Sequence, residues 1–161
     1  MSMIGSYRRV DESALQRLLD KPEGLSDFLF SEDDSDSRLD IDKTWHVIHF
    51  LLNGDPWDGI QPLVNVVLGG TQISTEDLGY GPARYLTISE VRDVAAALAP
   101  ISSEELMSRF DAQAVMRAKI YPEGWTGDAE DREYIATYFD GLKEFFAEAA
   151  ASKQAVVLYL S

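Results

Sequence analysis

The sequence predicts an α+β fold, mostly helical, with a small β-sheet that includes the N- and C-terminal strands. Three observations carry this. Ile135, Tyr138, Phe139, Leu142, Phe145, Phe146 and Ala149 recur at helical spacing, the longest periodic segment of the chain. Thr87 with Glu90 and Ser102 with Glu105 read as capping boxes, each marking a helix start. The closing run QAVVLYL is compact, apolar and β-branched, as a strand requires. No linker, repeat or low-complexity tract divides the 161 residues, so residues 1–161 are read as a single domain.

Taken in order, Met3 to Val10 carries Ile4, Tyr7 and Val10 without a helix-start signal and reads as a short strand, followed by a helix from Asp11 to Asp20. Pro22 can open a second short helix, because its missing N–H would be unpaired there in any case, and Leu25, Phe28 and Leu29 give it one apolar face. The serine-interleaved acids Glu32, Asp33, Asp34 and Asp36 then read as a loop. In DKTWHVIHFLLNG, Asp42 is placed as N-cap and Gly54 as a left-handed stop. That helix is apolar on most sides and belongs near the centre of a core.

The loop GDPWDGIQ leads into a short apolar helix from Pro62 to Leu68, ended by Gly69 and Gly70. STEDLGYGPARYL reads as loop and then a brief strand around Arg84 to Leu86. The capping boxes place helices at 88–98 and 103–110, with Pro100 as the stop between them, and a further short helix covers Ala112 to Ala118. After the turn-rich YPEGWTG come one helix over about 128–151 and the terminal strand from Gln154 to Leu160.

Composition bounds the function. With 28 Asp and Glu against 14 Lys and Arg the formal charge is −14, a field that repels phosphate backbones and anionic lipid surfaces. Neither nucleic acid nor a membrane is expected as a partner. Part of the acidity has a structural use, since many of the acids stand where helices start and complement the helix dipole. Cysteine is absent, which removes thiolate chemistry and fits a reducing compartment. MSMIGSYRRVDES is no apolar signal segment, and no later run approaches the roughly 20 apolar residues needed to span a bilayer, so a cytoplasmic location is expected.

The segments MIGSYRRV, LDIDKTWHVIHFLLNG, PLVNVVLGG, GYGPARYLT, AKIYPEGW and AVVLYL together resemble the YfbM-like bacterial family. The resemblance spans nearly the whole chain. It implies a compact bacterial α+β domain of unknown function, and it supplies no catalytic residue.

Known chemical signatures fail one after another. Asp42, His46 and His49 lie along one edge of the predicted central helix, and a carboxylate with two imidazoles could ligate a divalent metal in a metal-dependent enzyme. No third marked ligand accompanies the histidines, Asp42 is already assigned as a cap, and His49 falls in the apolar arc of Trp45, Ile48 and Leu52; the structural reading is preferred. A calcium loop started at Asp34 meets Arg38 and Leu39 where a ligand and a glycine are needed. Gly79-x-Gly81 lacks the third glycine, Arg84 standing in its place, and a Ser-His-Asp triad would have to draw on one of the two histidines, both expected to be buried. No cofactor is expected.

What remains is a set of aromatic loops: Trp57 in GDPWDG, Tyr80 with Arg84 in GYGPARY, and Tyr121 with Trp125 in IYPEGWTG. Large rings beside Gly and Pro either pin loops to the core or line a cleft, where Arg84 would hold a small anionic or planar ligand. Pinning is the simpler reading. The chain is therefore expected to be a non-enzymatic binding or interaction protein, one whose acidity suits a basic protein partner.

Overall fold

The two ends of the chain meet in the middle of an antiparallel sheet. In the computed structural model, which describes residues 2–31 and 35–161, strand β1 (Gly5–Val10) pairs along its whole length with β5 (Ala155–Leu160), from Gly5 opposite Leu160 to Val10 opposite Ala155. Strand β2 (Arg38–Asp40) adds to the outer side of β1, while β4 (Arg84–Leu86) and β3 (Thr71–Gln72) extend the other side in the order β2-β1-β5-β4-β3. As the sequence predicts, the fold is α+β and mostly helical, with both terminal strands in the sheet.

Both faces of the sheet are covered, which explains why AVVLYL shows no apolar–polar alternation. Val10, Ala155, Val157 and Tyr159 face a small helical hairpin, α1 (Glu12–Asp20) and α2 (Leu25–Phe30), through Leu15, Leu18, Leu25 and Leu29. Tyr7, Leu86, Val156 and Leu158 face the main core, formed by α3 (Trp45–Asn53), α4 (Ile88–Leu98), α5 (Ser103–Ser108), α6 (Ala112–Arg117) and α7 (Ala129–Ala151). Tyr7 is buried there and its hydroxyl donates to the Val66 carbonyl at 2.6 Å, so the phenol brings its own partner into the core.

The helix starts follow their capping residues. Thr87 and Glu90 make a reciprocal capping box, with Glu90 N–H to Thr87 Oγ1 at 3.1 Å and Thr87 N–H to Glu90 Oε1 at 2.9 Å. The expected box at Ser102 forms only in half: Ser102 Oγ accepts from Glu105 N–H, but the Glu105 carboxylate turns to Arg109 one turn on, at 3.2 Å. Asp128 caps α7, and Asp131 reaches back to accept from the N–H groups of Thr126 and Gly127.

Other expectations are corrected. Pro62 to Leu68 is a single 3-10 turn, Leu63–Val66, because the chain bends away at once toward the Gly69 and Gly70 turn. Asp42 is not the N-cap of α3: it opens the 3-10 turn Asp42–Thr44 with φ at +51°, and its side chain serves another partner. Strands β2 and β3 have no counterpart in the sequence reading, since three and two residues show no period. Of the predicted acidic loop, Glu32, Asp33 and Asp34 lie outside the described residues, whereas Asp36 sits in the 3-10 turn Ser35–Ser37 and its carbonyl accepts from Arg9 at 2.7 Å. No helix among the described residues is long and apolar enough to cross a membrane.

Candidate functional site

Seven of the nine residues of α3 are buried, and the two histidines among them are engaged with backbone. His46 Nε2 donates to the Pro56 carbonyl at 2.9 Å, and its Nδ1 accepts from the Tyr121 N–H at 2.8 Å. A carbonyl can only accept and an amide N–H can only donate, so this ring is neutral with its proton on Nε2. His49 Nε2 likewise reaches the Asp58 carbonyl at 3.2 Å, and its Nδ1 faces the Asn53 amide at 3.3 Å. Burial holds both imidazoles below the ordinary histidine pKa, with their hydrogen bonds to the Pro56 and Asp58 carbonyls opposing that shift.

The arrangement gives no support to a metal centre at Asp42, His46 and His49. All four ring nitrogens already have partners, and Asp42 Oδ2 accepts from the Tyr134 hydroxyl at 2.5 Å, away from the imidazoles. Among the described residues no three His, Cys, Asp or Glu side chains gather as metal ligands.

The histidines instead hold a loop. Pro56 and Asp58 are fastened from beneath by His46 and His49, while Asp55 Oδ1 accepts from the N–H groups of Trp57 and Asp58 at 2.9 and 2.8 Å. Those two donors hold the Asp55 carboxyl below the usual carboxylate range. Asn53 closes the base of the loop by donating to the carbonyls of His49 and Leu63. On this fixed turn Trp57 is displayed 59 % exposed and Ile60 84 % exposed.

From Trp57 a row of rings runs across the molecule. Trp57 lies 4.4 Å from His46, His46 stacks on Trp45 at 4.8 Å, and Trp45 stacks on Tyr121 at 5.7 Å. The Trp125 indole N–H donates to the Tyr121 carbonyl at 3.1 Å, and its ring stacks on Tyr134 at 6.1 Å; Tyr134 meets Tyr138 edge-on at 5.2 Å. Trp45 and His46 are the buried floor of this row, whereas Trp57, Tyr121, Trp125, Tyr134 and Tyr138 reach solvent. The Tyr121 hydroxyl and the Trp45 indole also clasp Met3, through its N–H at 2.9 Å and its carbonyl at 3.0 Å.

Two of the three aromatic loops predicted from the sequence therefore meet, Trp57 and Tyr121 with Trp125 joining through Trp45 and His46. The third stands apart. Arg84 Nη1 donates to the carbonyls of Val67 and Gly69 at 3.0 and 2.6 Å, and no ring contact or hydrogen bond among the described residues links Tyr80 or Arg84 to the row. Tyr80 and Arg84 border a separate shallow hollow with Leu160. Beside the row, α6 and the loop after it enclose an apolar cleft of about 700 Å³ over Val115 and Ile120, with Trp125 as one wall.

Sequence reasoning missed Tyr134 and Tyr138 as members of this surface. They stand four apart on α7, a spacing that places them on one face, but the apolar stripe counts Tyr138 as core. Asp40 and Asp42 face the same side: burial first, and then these carboxylates, raise the Tyr138 phenol, and burial with the Asp42 hydrogen bond raises that of Tyr134.

Comparison with known proteins bears on the whole chain. A family model described as "Domain of unknown function (DUF1877)" matches residues 1–159. Protein YfbM of Escherichia coli (strain K12) is 32 % identical over 130 residues, 76 % of this chain and 74 % of the relative. A crystal structure of YfbM from Escherichia coli, a protein of unknown function, shares the fold with a TM-score of 0.77 at 22 % identity, covering 98 % of this chain and 99 % of that one. With a family model matched almost end to end and a relative at this identity, the chain belongs to the YfbM-like family, whose domain is one of unknown function.

Proposed function

We propose that this protein is a non-catalytic, cytoplasmic bacterial interaction protein that binds a basic protein partner. The observation that carries the reading is where the arginines point. Arg9, Arg84, Arg109 and Arg132 all direct guanidinium N–H groups at carbonyls of the fold, those of Asp36, Val67 and Gly69, Leu51, and Gly127 and Met107. Only two ion pairs join Lys or Arg to Asp or Glu among the described residues, Arg9 with Glu148 and Arg109 with Glu105. Cations that serve backbone carbonyls do little to cover carboxylates, and among the described residues only Glu148 and Glu105 are paired with an arginine, which leaves most of the acids behind the −14 charge without a cationic partner there. Such a field accelerates and orients encounter with a basic molecule and rejects nucleic acid. The lack of cysteine is in keeping with a reducing cytoplasm.

The test is a fluorescence-polarisation titration of the full chain against labelled oligo-lysine and oligo-arginine peptides, with duplex DNA as the control. At about 50 mM salt the peptides are expected to bind and the DNA is not, and binding weakens as screening rises with added salt. Absence of any salt-sensitive binding to either peptide overturns the reading.

A further inference from the structure

We propose that the aromatic row from Tyr138 to Trp57 is the docking surface for the partner, and that it receives an arginine-bearing segment. This rests on the reading above that the partner is basic, and it adds where the partner sits and which cation it presents.

The first argument is the pairing of ring faces with uncovered carboxylates. Glu130 and Glu133 border one hollow of about 310 Å³ with Tyr134, Thr137 and Tyr138. Neither glutamate has an ion pair or side-chain hydrogen bond among the described residues, and both are exposed. Tyr134 and Tyr138 meet edge-on at 83°, and both rings border the hollow together with the two glutamates. A guanidinium is planar and weakly hydrated; it packs against aromatic rings while its N–H fork reaches a carboxylate. The Tyr134 hydroxyl cannot turn away to compete, because it donates to Asp42.

The second argument is that a ring flanked by carboxylates recurs at the far end. Trp57 is the most exposed ring of the row and stands between Asp55 and Asp58 on a loop held by two histidines and Asn53. A rigid, exposed indole loses little conformational freedom on binding, which is what an interface anchor needs. Between the two ends the rings that reach solvent are Tyr121 and Trp125, with Trp45 and His46 as the buried floor. Charge selects the occupant: a second copy would bring another −14 to an acidic surface, whereas arginine complements both rings and acids.

The experiment measures affinity for labelled octa-arginine and octa-lysine at about 50 mM salt with the parent chain and four variants. Glu130→Gln/Glu133→Gln and Trp57→Ala alter the row; Trp57→Phe keeps a ring; Glu12→Gln/Glu23→Gln removes the same charge from the α1 side. Thermal melts establish that each variant is folded. Octa-arginine is expected to bind the parent about threefold more tightly than octa-lysine. Trp57→Ala weakens octa-arginine about two- to fivefold and the row double variant by a similar factor, while Trp57→Phe and the α1-side variant stay within about twofold. If both double variants weaken binding equally, the charge acts diffusely and the docking surface is overturned while the basic-partner reading stands. Equal affinity for the two peptides overturns the arginine assignment. No binding of either peptide overturns the basic-partner reading itself.

Discussion

The backbone N–H of Tyr121 donates to Nδ1 of His46 at 2.8 Å. Because the other nitrogen of the ring serves Pro56, one neutral imidazole ties the Trp57 loop and the Tyr121 loop to the same point of α3. Protonating Nδ1 would set two donors against each other and break the second tie.

Stability is therefore expected to fall as the medium is acidified toward pH 5. The sign follows from the shifts: burial lowers the folded-state pKa of His46 and His49 below 6.5, so the unfolded chain takes up protons at higher pH than the folded one. The stability contribution is fully present above about pH 6.5 and is lost below it, by at most about 1.4 kcal/mol per pH unit for each histidine. Urea midpoints of the parent at pH 7.5, 6.5 and 5.5 measure this, and His46→Gln should flatten the profile. A parent midpoint that stays level over that range contradicts the tautomer assigned here. The lowered carboxyls of Asp11, Asp55 and Asp77 act in a separate window, near and below pH 4.

Arg84→Met is expected to destabilise the fold by about 2–4 kcal/mol without changing octa-arginine affinity. Among the described residues its hydrogen bonds go to carbonyls alone, and its loss leaves Val67 and Gly69 with unmet acceptors beside the sheet. Chemical denaturation and the peptide titration, run on the same sample, separate the two effects. A lost affinity at unchanged stability would return Arg84 to the binding surface.

Two glycines distinguish a yielding neighbour from an unyielding one. A Cβ on Gly69 would stand 2.8 Å from the Asn65 Cα and 3.0 Å from its N, backbone atoms that cannot rotate aside. A Cβ on Gly59 would meet the Asn53 side chain at 2.3 Å, which can swing out by giving up its bonds to His49 and Leu63. Gly69→Ala should cost about 2–4 kcal/mol and Gly59→Ala about 1–2 kcal/mol. Equal unfolding midpoints for the two variants would show that the Asn65 backbone gives way.

What the sequence made legible follows from where each signal is stored. Helix starts were readable because a cap is a local pairing, as Thr87 with Glu90 shows, and β5 was readable because burial on both faces leaves a solid apolar run. Strands β2 and β3 were not, being held by partners across the sheet with no pattern of their own. Asp42 misled for a related reason: an acid before an apolar helix looks like a cap, but its partner, Tyr134, lies 92 residues away. The site divides likewise. Trp57, Tyr121 and Trp125 could be singled out as rings on turns, yet which loops meet depends on His46 receiving an N–H from 75 residues on, and a backbone N–H leaves no trace in side-chain identity.

Asp42 yields the final prediction, since two separate demands fall on one residue. Its φ of +51° is the left-handed region, which alanine enters at a cost of roughly 1–2 kcal/mol and asparagine tolerates. Its carboxylate also accepts the Tyr134 hydroxyl at 2.5 Å, beside the hollow bordered by Glu130 and Glu133. Asp42→Asn keeps both the backbone preference and an acceptor, and should lie within about 0.5 kcal/mol of the parent. Tyr134→Phe removes only the hydrogen bond and should cost about 0.5–1.5 kcal/mol. Asp42→Ala loses both, and its cost should approach the sum of the two, about 2–3 kcal/mol. Asp42→Gly relieves the backbone but not the hydrogen bond, so it belongs beside Tyr134→Phe. Urea denaturation of the four variants at pH 7.5 orders them, and Asp42→Ala matching Asp42→Asn would show that neither demand is borne by this residue.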